Sequence, residues 1–518
     1  MHGAPLDILS ARERPWFTAR YRGGEVSTEG TPSCQLGHQL DNRTGPTPDG
    51  IFVEWHWDGT TLTVRNDRYG IHPLFYACHG GEIRISPSIL HVLDGPFPKT
   101  LNEPGLAVFF RLGFFIREDT PFEHVHVLPP GSELRWQKGD LQLRRGPRDA
   151  PMPAHPVGSF DEAVEEYAAL FRQAMKRRAP DGSGFTVPIS GGRDSRHILF
   201  ELLQQGHKPD RTVTVRSRPP SPNEDIRIAR ILADTLELRH VEIDRPASYF
   251  QANLKDIELT HFCGSGHTWL LPVAAYLKGK THTLYDGLAG SVISGGFQVN
   301  ERKLALVEAG HTRDLATHLL RENAIEPFLN STLRPPMARR MNEGLAIERL
   351  TEELEGHMEA RHPLVSYIFW NRTRRGISLI PYSIMGDVER VFCPYLDHDV
   401  FNFLMNLDAS YSLGNALHDE TIRRSYPEYT HLPYENKDAP RDKGQDYSTY
   451  YRRSVREFLG HFLRHPETLR SGLIRSERVL LMVMRDLLKP RCENTWYLQP
   501  SLFSLELERA ATQGRSPE

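Results

Sequence analysis

Ser190-Gly191-Gly192-Arg193-Asp194-Ser195 is the stretch from which the rest of the chain can be read. Ahead of it, Phe185-Thr186-Val187-Pro188-Ile189 is a short apolar run of strand character. Behind it, Arg196 to Leu203 carries apolar residues at helical spacing, so the six residues form a strand-to-helix turn. Paired glycines let a ligand approach the backbone, and a helix N-terminus offers unpaired N–H groups and partial positive charge, a combination suited to phosphate. Ser190 and Ser195 add hydroxyls, and Asp194 adds a carboxylate able to hold the Mg²⁺ of a nucleotide.

The pattern S-G-G-x-D-S resembles the pyrophosphate loop of the adenine-nucleotide alpha-hydrolase group, whose members cleave ATP between the α and β phosphates to give an adenylate. The resemblance implies ATP and Mg²⁺ as ligands of Ser190, Gly191, Gly192, Arg193, Asp194 and Ser195. Downstream, Thr212–Val215 and Val241-Glu242-Ile243 read as further strands, with a helix capped by Asn223 and acidic at Glu224 and Asp225 between them. Strand, helix, strand at this spacing requires a parallel sheet with crossover helices, whose ligands bind at the carboxyl ends of the strands.

Upstream, residues to about Asp149 read as antiparallel β. Ile51–Trp57 and Leu62–Val64 flank Asp58-Gly59, a two-residue hairpin signal. Leu74–Cys78 with Ile83–Ile85, and Glu133–Trp136 with Leu141–Leu143, repeat the pattern, and some helix is expected between Pro104 and Leu112. Within this region Arg65-Asn66-Asp67-Arg68-Tyr69-Gly70-Ile71-His72-Pro73-Leu74-Phe75-Tyr76 is similar to the R-D-x-x-G-x-x-P-L-Y-Y segment of the glutaminase domain of asparagine synthetases. Thr120-Pro121-Phe122 and Leu128-Pro129-Pro130-Gly131 match other pieces of that domain, in family order ahead of the pyrophosphate loop.

The resemblance to the asparagine synthetase family implies an α+β domain over residues 1–149, an antiparallel sheet sandwich of the Ntn-hydrolase type. An α/β parallel-sheet domain with a mainly helical C-terminal half follows over residues 158–518, and the proline-rich stretch Arg144 to Val157 is the linker. In the family's glutaminases the nucleophile is a cysteine exposed by removal of Met, with its own α-amine as base. His2 stands there and the nearest cysteine is Cys34, so no glutamine hydrolysis is expected, as in the beta-lactam synthetases.

Asp286-Gly287-Leu288-Ala289-Gly290-Ser291 and the residues to Phe297 look like the family's S-G-E-G-S-D-E-x-x-G-G-Y loop, which implies a nucleotide contact at Gly287. Its metal-binding Asp corresponds to Ser291, a neutral ligand, and Asp286 is the nearest replacement carboxylate. Val213 to Val215 correspond to the strand end that meets adenine, mostly through backbone. Pro394-Tyr395-Leu396-Asp397 resembles P-F-L-D, but the glutamate that precedes it falls on Arg390, leaving Asp387 or Glu389 as the base for the amine. Ser412–His418 and Leu432–Pro440 resemble the closing segment, whose lysine stabilises developing charge. Lys437 is the best match and Lys443 the reserve.

These residues imply an AMP-forming ligase joining a small-molecule or peptide carboxylate to an amine or ammonia. Ring closure, as in beta-lactam synthetases and lasso-peptide cyclases, and amidation of a free acid both stay open, as does a homodimer. The rival reading is a degenerate, non-catalytic nucleotide-binding partner protein of a biosynthetic complex. Balanced charge, with 63 basic and 66 acidic residues, predicts neither a nucleic-acid nor a membrane partner. Five scattered cysteines without C-x-x-C spacing argue for reduced thiols and against zinc. With no apolar leader and no run long enough to span a bilayer, the expectation is a cytoplasmic protein.

Overall fold

The computed structural model describes residues 6, 8, 10–40, 48–148, 157–217, 221–436, 439–440, 447–488 and 497–512. The first domain is built from β1 (Phe17–Arg22), β2 (Glu25–Gly30), β3 (Ser33–Leu40), β4 (Asp49–Trp57), β5 (Leu62–Asn66), β6 (Phe75–His79), β7 (Glu82–Ser86), β8 (His126–Val127), β9 (Glu133–Gln137) and β10 (Asp140–Arg144). They form two five-stranded antiparallel sheets, ordered β2-β1-β7-β6-β8 and β10-β9-β5-β4-β3. Alternation along the strands sends Val53, Trp55, Leu62, Val64, Leu134 and Trp136 from one sheet against Phe17, Ala19, Tyr76, Ile83 and Ile85 from the other.

The expected strands all form, with β1 to β3 and β8 in addition. Asp58-Gly59 is not a two-residue hairpin. The connection runs from Asp58 to Thr61, because the Asp58 carboxylate accepts the Thr60 and Thr61 N–H groups at 2.8 Å and closes an Asx turn. The expected helix is Glu103–Leu112, started by the Asn102 side chain on Gly105 N–H at 3.0 Å and ended by Gly113 at φ 82°.

The second domain carries a five-stranded parallel sheet of β11 (Phe185–Pro188), β12 (Arg211–Val215), β13 (His240–Ile243), β14 (Thr283–Tyr285) and β15 (Arg390–Phe392), ordered β13-β12-β11-β14-β15. From β11 the chain winds outward through helices Asp194–Gln204 and Glu224–Thr235 to β12 and β13, then returns to lay β14 on β11's other side. Strand order reverses between β11 and β14. Loops leaving their carboxyl ends diverge there and open a crevice. Asn223 precedes the second of these helices without capping it, since its side chain accepts the Ser217 N–H instead, at 3.0 Å.

Beyond the sheet the chain is mainly helical, and helices Thr312–Arg321, Glu343–Glu355 and Tyr447–Arg464 carry the apolar spacings seen in the sequence. Among the described residues no helix is long and apolar enough to cross a membrane.

Buried arginines join the domains. Arg178 bridges Asp49 of β4, at 3.1 Å, and Asp397, at 2.7 Å, and all three side chains are almost wholly enclosed. Burial disfavours the Asp397 carboxylate, but Arg178 and Arg177 outweigh it and draw its pKa down to about 2. From the π-helix Ile368–Ile377, Arg374 donates to the Gly70, Leu128 and Arg117 carbonyls, and Arg375 to those of Ile116, Arg117 and Asp119. Unpaired buried backbone oxygens are costly, so these guanidiniums satisfy the interface face of the first domain.

Candidate active site

Ser190–Ser195 leaves β11 at the switch point, as the sequence implies. The helix that follows begins at Asp194 with Arg193 as its N-cap residue and with no side-chain cap. Its first N–H groups are therefore open to an anion. Inside the loop, Ser190 Oγ accepts the Gly192 N–H at 3.1 Å, and Ser195 Oγ accepts the Ser190 N–H at 3.2 Å. Gly191 N–H donates to Asp225 Oδ1 at 2.7 Å, so one loop donor already holds a carboxylate oxygen.

The loop from β14 closes over Asp194. Ser291 donates its N–H and hydroxyl to Asp194 Oδ2 at 3.0 and 2.5 Å. Among the described residues Asp194 Oδ1 has no hydrogen-bond partner. Two glycines make this approach feasible: a Cβ at Gly290 would lie 2.6 Å from Asp194 Cγ, and one at Gly287 would lie 2.8 Å from Asp194 Cβ. Between them Ala289 takes a left-handed φ of 75°, which favours glycine. Burial pushes the Asp194 carboxyl up to about 6, and burial together with the nearby Asp194 charge does the same to Asp286. Asp286 Oδ1 accepts the Leu288 N–H at 2.8 Å, which holds the turn.

Behind Asp194 lies a neutral aromatic and imidazole layer. His418, fully enclosed, bonds Ser294 Oγ at 2.9 Å and lies 3.2 Å from His197 Nδ1 and 3.6 Å from Asp194 Oδ1. Burial, with Arg193 adding to it, drops the His418 pKa to about 3, so it presents no cation to compete at Asp194.

The closing segment lies on the loop. Glu435 N–H donates to the Gly191 carbonyl at 3.1 Å, and Asn436 N–H to Glu224 Oε2 at 3.3 Å. Arg196 donates to the Leu432 and Pro433 carbonyls at 3.0 and 2.6 Å and lies 3.9 Å from the Tyr434 ring centroid, with Arg193 4.9 Å from the same ring. Arg193 also pairs through both nitrogens with Asp419.

The structure gathers Ser190 to Ser195, Asp286, Gly287 and Ser291. Val213 and Val215 are buried in β12, and the Val213 carbonyl accepts the Ile189 N–H at 2.9 Å. Glu389 is not brought to the site. It precedes β15, at the opposite end of the parallel sheet, and pairs with His282 Nδ1 at 2.7 Å, because strand register sets Arg390 beside Thr283. Asp387, two residues earlier, lies in the electrostatic reach of Arg14. Lys437 and Lys443 lie outside the described residues, as does His2. Asp225, Arg196, Asp419 and His418 form part of the site's frame, a role the sequence did not reveal, although Arg196, Asp225 and His418 lie in stretches whose motifs it did.

Comparison with known proteins agrees with this architecture. Residues 36–145 match the family model described as a glutamine amidotransferase domain, and residues 166–363 match that of asparagine synthase. In both stretches the chain resembles the asparagine synthetase family. Asparagine synthetase [glutamine-hydrolyzing] 3 of Bacillus subtilis is 28% identical over 163 residues, 31% of this chain and 26% of that protein. Amidase chyE of Penicillium rubens is 25% identical over 201 residues, 36% and 29% of the two chains. Amidase chry2 of Gibberella zeae is 27% identical over 216 residues, 38% and 31%. The matched stretches thus span under a third of each relative's length.

The donor set fits a magnesium nucleotide. Asp194 offers a buried oxygen without a partner, Asp286 stands near enough to feel its charge, and uncapped N–H groups adjoin both. Mg²⁺ commonly takes only one or two carboxylates, with phosphate and water completing its shell.

Proposed function

We propose that this asparagine synthetase-like protein is an ATP-dependent, AMP- and pyrophosphate-forming amide ligase that does not draw its nitrogen from glutamine. The observation that carries the reading is the unpartnered Asp194 Oδ1, set beside an uncapped helix N-terminus and beneath the Asp286–Ser291 loop. In this reading Ser190 to Ser195 would seat the triphosphate, and Asp194 and Asp286 would hold the Mg²⁺ that shields its charge. The substrate carboxylate attacks the α-phosphate, pyrophosphate departs, and an amine then displaces AMP from the acyl-adenylate. Lys437, which follows Asn436 at the loop, is assigned the charge built up on phosphate and on the tetrahedral centre. Asp387 is kept as the candidate base for the amine, Glu389 being engaged by His282 at the opposite end of the sheet.

Glutamine independence draws support from Cys34 and Cys78. Both sit in strands of the first domain, and burial pushes both thiols above their ordinary value, away from the thiolate a nucleophile needs. The first domain then serves as a cover for the second. Ring closure within one natural product and amidation of a free acid are alike compatible with this site.

Pyrophosphate exchange and release with purified protein, ATP, Mg²⁺ and a panel of carboxylic acids test the proposal. Acid-dependent exchange is expected, with no glutamate formed from glutamine. A second reading, a nucleotide-binding partner protein without chemistry, draws on Ser291, which engages one Asp194 oxygen and brings no charge of its own. It requires nucleotide binding without exchange for any acid.

A further inference from the structure

Helix Ser476–Leu488 is apolar on two opposite faces. Its inner face buries Val479 and Val483, with Ser476 and Asp486, and the helix packs on Tyr447–Arg464. Its outer face leaves Leu481 71% exposed, Met484 52% and Leu488 81%. Spacings of three and four residues set these side chains along one line, and Glu477 closes the line at its N-terminal end. Five of the eight large apolar side chains that stand exposed among the described residues fall between Leu463 and Leu488. Apolar surface gathered in this way, rather than scattered singly, marks an interaction site.

Charge and shape say what fits there. Arg478 and Arg485, both exposed, lie seven residues apart and so form a row along one edge of the leucine line. Arg478 donates to the Ser331 carbonyl at 3.3 Å, and Arg485 pairs with Asp486 at 3.0 Å, which anchors both stems on the surface. A narrow apolar line at heptad spacing is the seam of a helix pair, whereas a helix lying on a bilayer needs a broad apolar face. A second copy of this helix suits the seam poorly. Packed antiparallel about a two-fold axis, two copies oppose Arg478 to Arg485, and packed parallel they set both arginines beside the half-buried Leu480 and Leu487. Carboxylates on the edge of a partner helix meet the arginines in either direction.

We propose that the Leu481, Met484 and Leu488 face docks an amphipathic helix of a second protein, one with apolar residues at heptad spacing and carboxylates along the edge that meets Arg478 and Arg485. None of these residues belongs to the site around Asp194, so the docking surface stands whether or not the ligase reading does.

The test titrates the full chain into two fluorescent synthetic helical peptides of equal length, both with leucine at heptad spacing, one flanked by glutamate and the other by lysine, and follows anisotropy. Wild type is expected to bind the glutamate peptide about 10-fold more tightly than the lysine peptide. Leu481→Gln with Leu488→Gln should weaken binding of the glutamate peptide about 100-fold. Arg478→Glu, which leaves the bond between Arg485 and Asp486 in place, should erase the preference between the two. All three positions are exposed, and thermal unfolding of each variant checks the fold, with the single Leu481→Gln replacing the pair should the pair melt early. Absence of binding to the glutamate peptide, equal binding of both peptides by wild type, or undiminished binding in the glutamine variant overturns the proposal. Flotation with phosphatidylcholine vesicles containing phosphatidylglycerol and sedimentation velocity address the other occupants. Lipid binding, or a dimer, that the glutamine variant abolishes also overturns it.

Discussion

Ser291 gives Asp194 both its N–H and its hydroxyl, at 3.0 and 2.5 Å, through one carboxylate oxygen, and the other oxygen has no hydrogen-bond partner among the described residues. Ser291→Asp would set a second carboxylate against the first in an enclosed place, where like charges resist joint ionisation. In chelator the variant is expected to unfold about 1–3 kcal/mol more easily than wild type. Mg²⁺ should restore more stability to it than to wild type, as read by thermal unfolding across a Mg²⁺ titration. Asp194→Ala should abolish Mg²⁺-dependent ATP binding, and calorimetry that still finds such binding removes Asp194 from the metal site.

Gly290 is fixed by space rather than by backbone angle. A methyl group there would meet Asp194 Cγ at 2.6 Å and Tyr395 Cε2 at 2.8 Å. Gly290→Ala should therefore cost about 1–3 kcal/mol of stability through overpacking and weaken ATP binding together. Denaturant unfolding and nucleotide titration read the two effects, and a variant with normal values for both means that the loop can move off Asp194.

Lys437 follows directly on Asn436, whose N–H bonds Glu224 beside the pyrophosphate loop. Removing a charge-stabilising donor of this kind costs roughly 10²–10³ in turnover, about 3–4 kcal/mol. Lys437→Ala with undiminished pyrophosphate release would pass the role to Lys443.

The inter-domain pair at Arg178 predicts an asymmetric response. Asp49→Ala leaves a buried guanidinium short of one partner, and breaking a buried pair in this way costs about 3–5 kcal/mol. Urea unfolding should show that loss across the whole chain, and an effect confined to the first domain would mean that the two domains melt independently.

Burial, aided by Arg14 and His72, lowers the His261 pKa to about 3, against 6.5 in the unfolded chain. The unfolded state therefore binds the extra proton between these values, and the stability of wild type is present at pH 7 and lost as pH falls below 6.5. Relative to His261→Asn, which tolerates the left-handed φ of 57°, wild type should lose about 2 kcal/mol between pH 7 and pH 5. Denaturant midpoints at the two pH values check the sign.

The parts of the site legible from sequence were local ones. Ser190 to Ser195 and Asp286 to Ser291 are contiguous turns whose glycines and hydroxyls declare a ligand. The frame around them comes from afar: Asp225 meets Gly191, Asp419 meets Arg193, and Glu435 meets the same glycine, all by tertiary contact that no short window contains. Glu389 misled because closeness to Pro394 in the chain is not closeness to the crevice; a three-residue strand carries the chain from one end of the sheet to the other. β2 escaped notice for another reason. Glu25–Gly30 is almost wholly exposed and has no apolar alternation to reveal it.

Arg374 and Arg375 reach into the first domain from a single helix. Attachment of one domain to the other is thus written into ten consecutive residues, Ile368–Ile377. Cut loose, the second would expose two greasy-sided cations stripped of the carbonyls they hold.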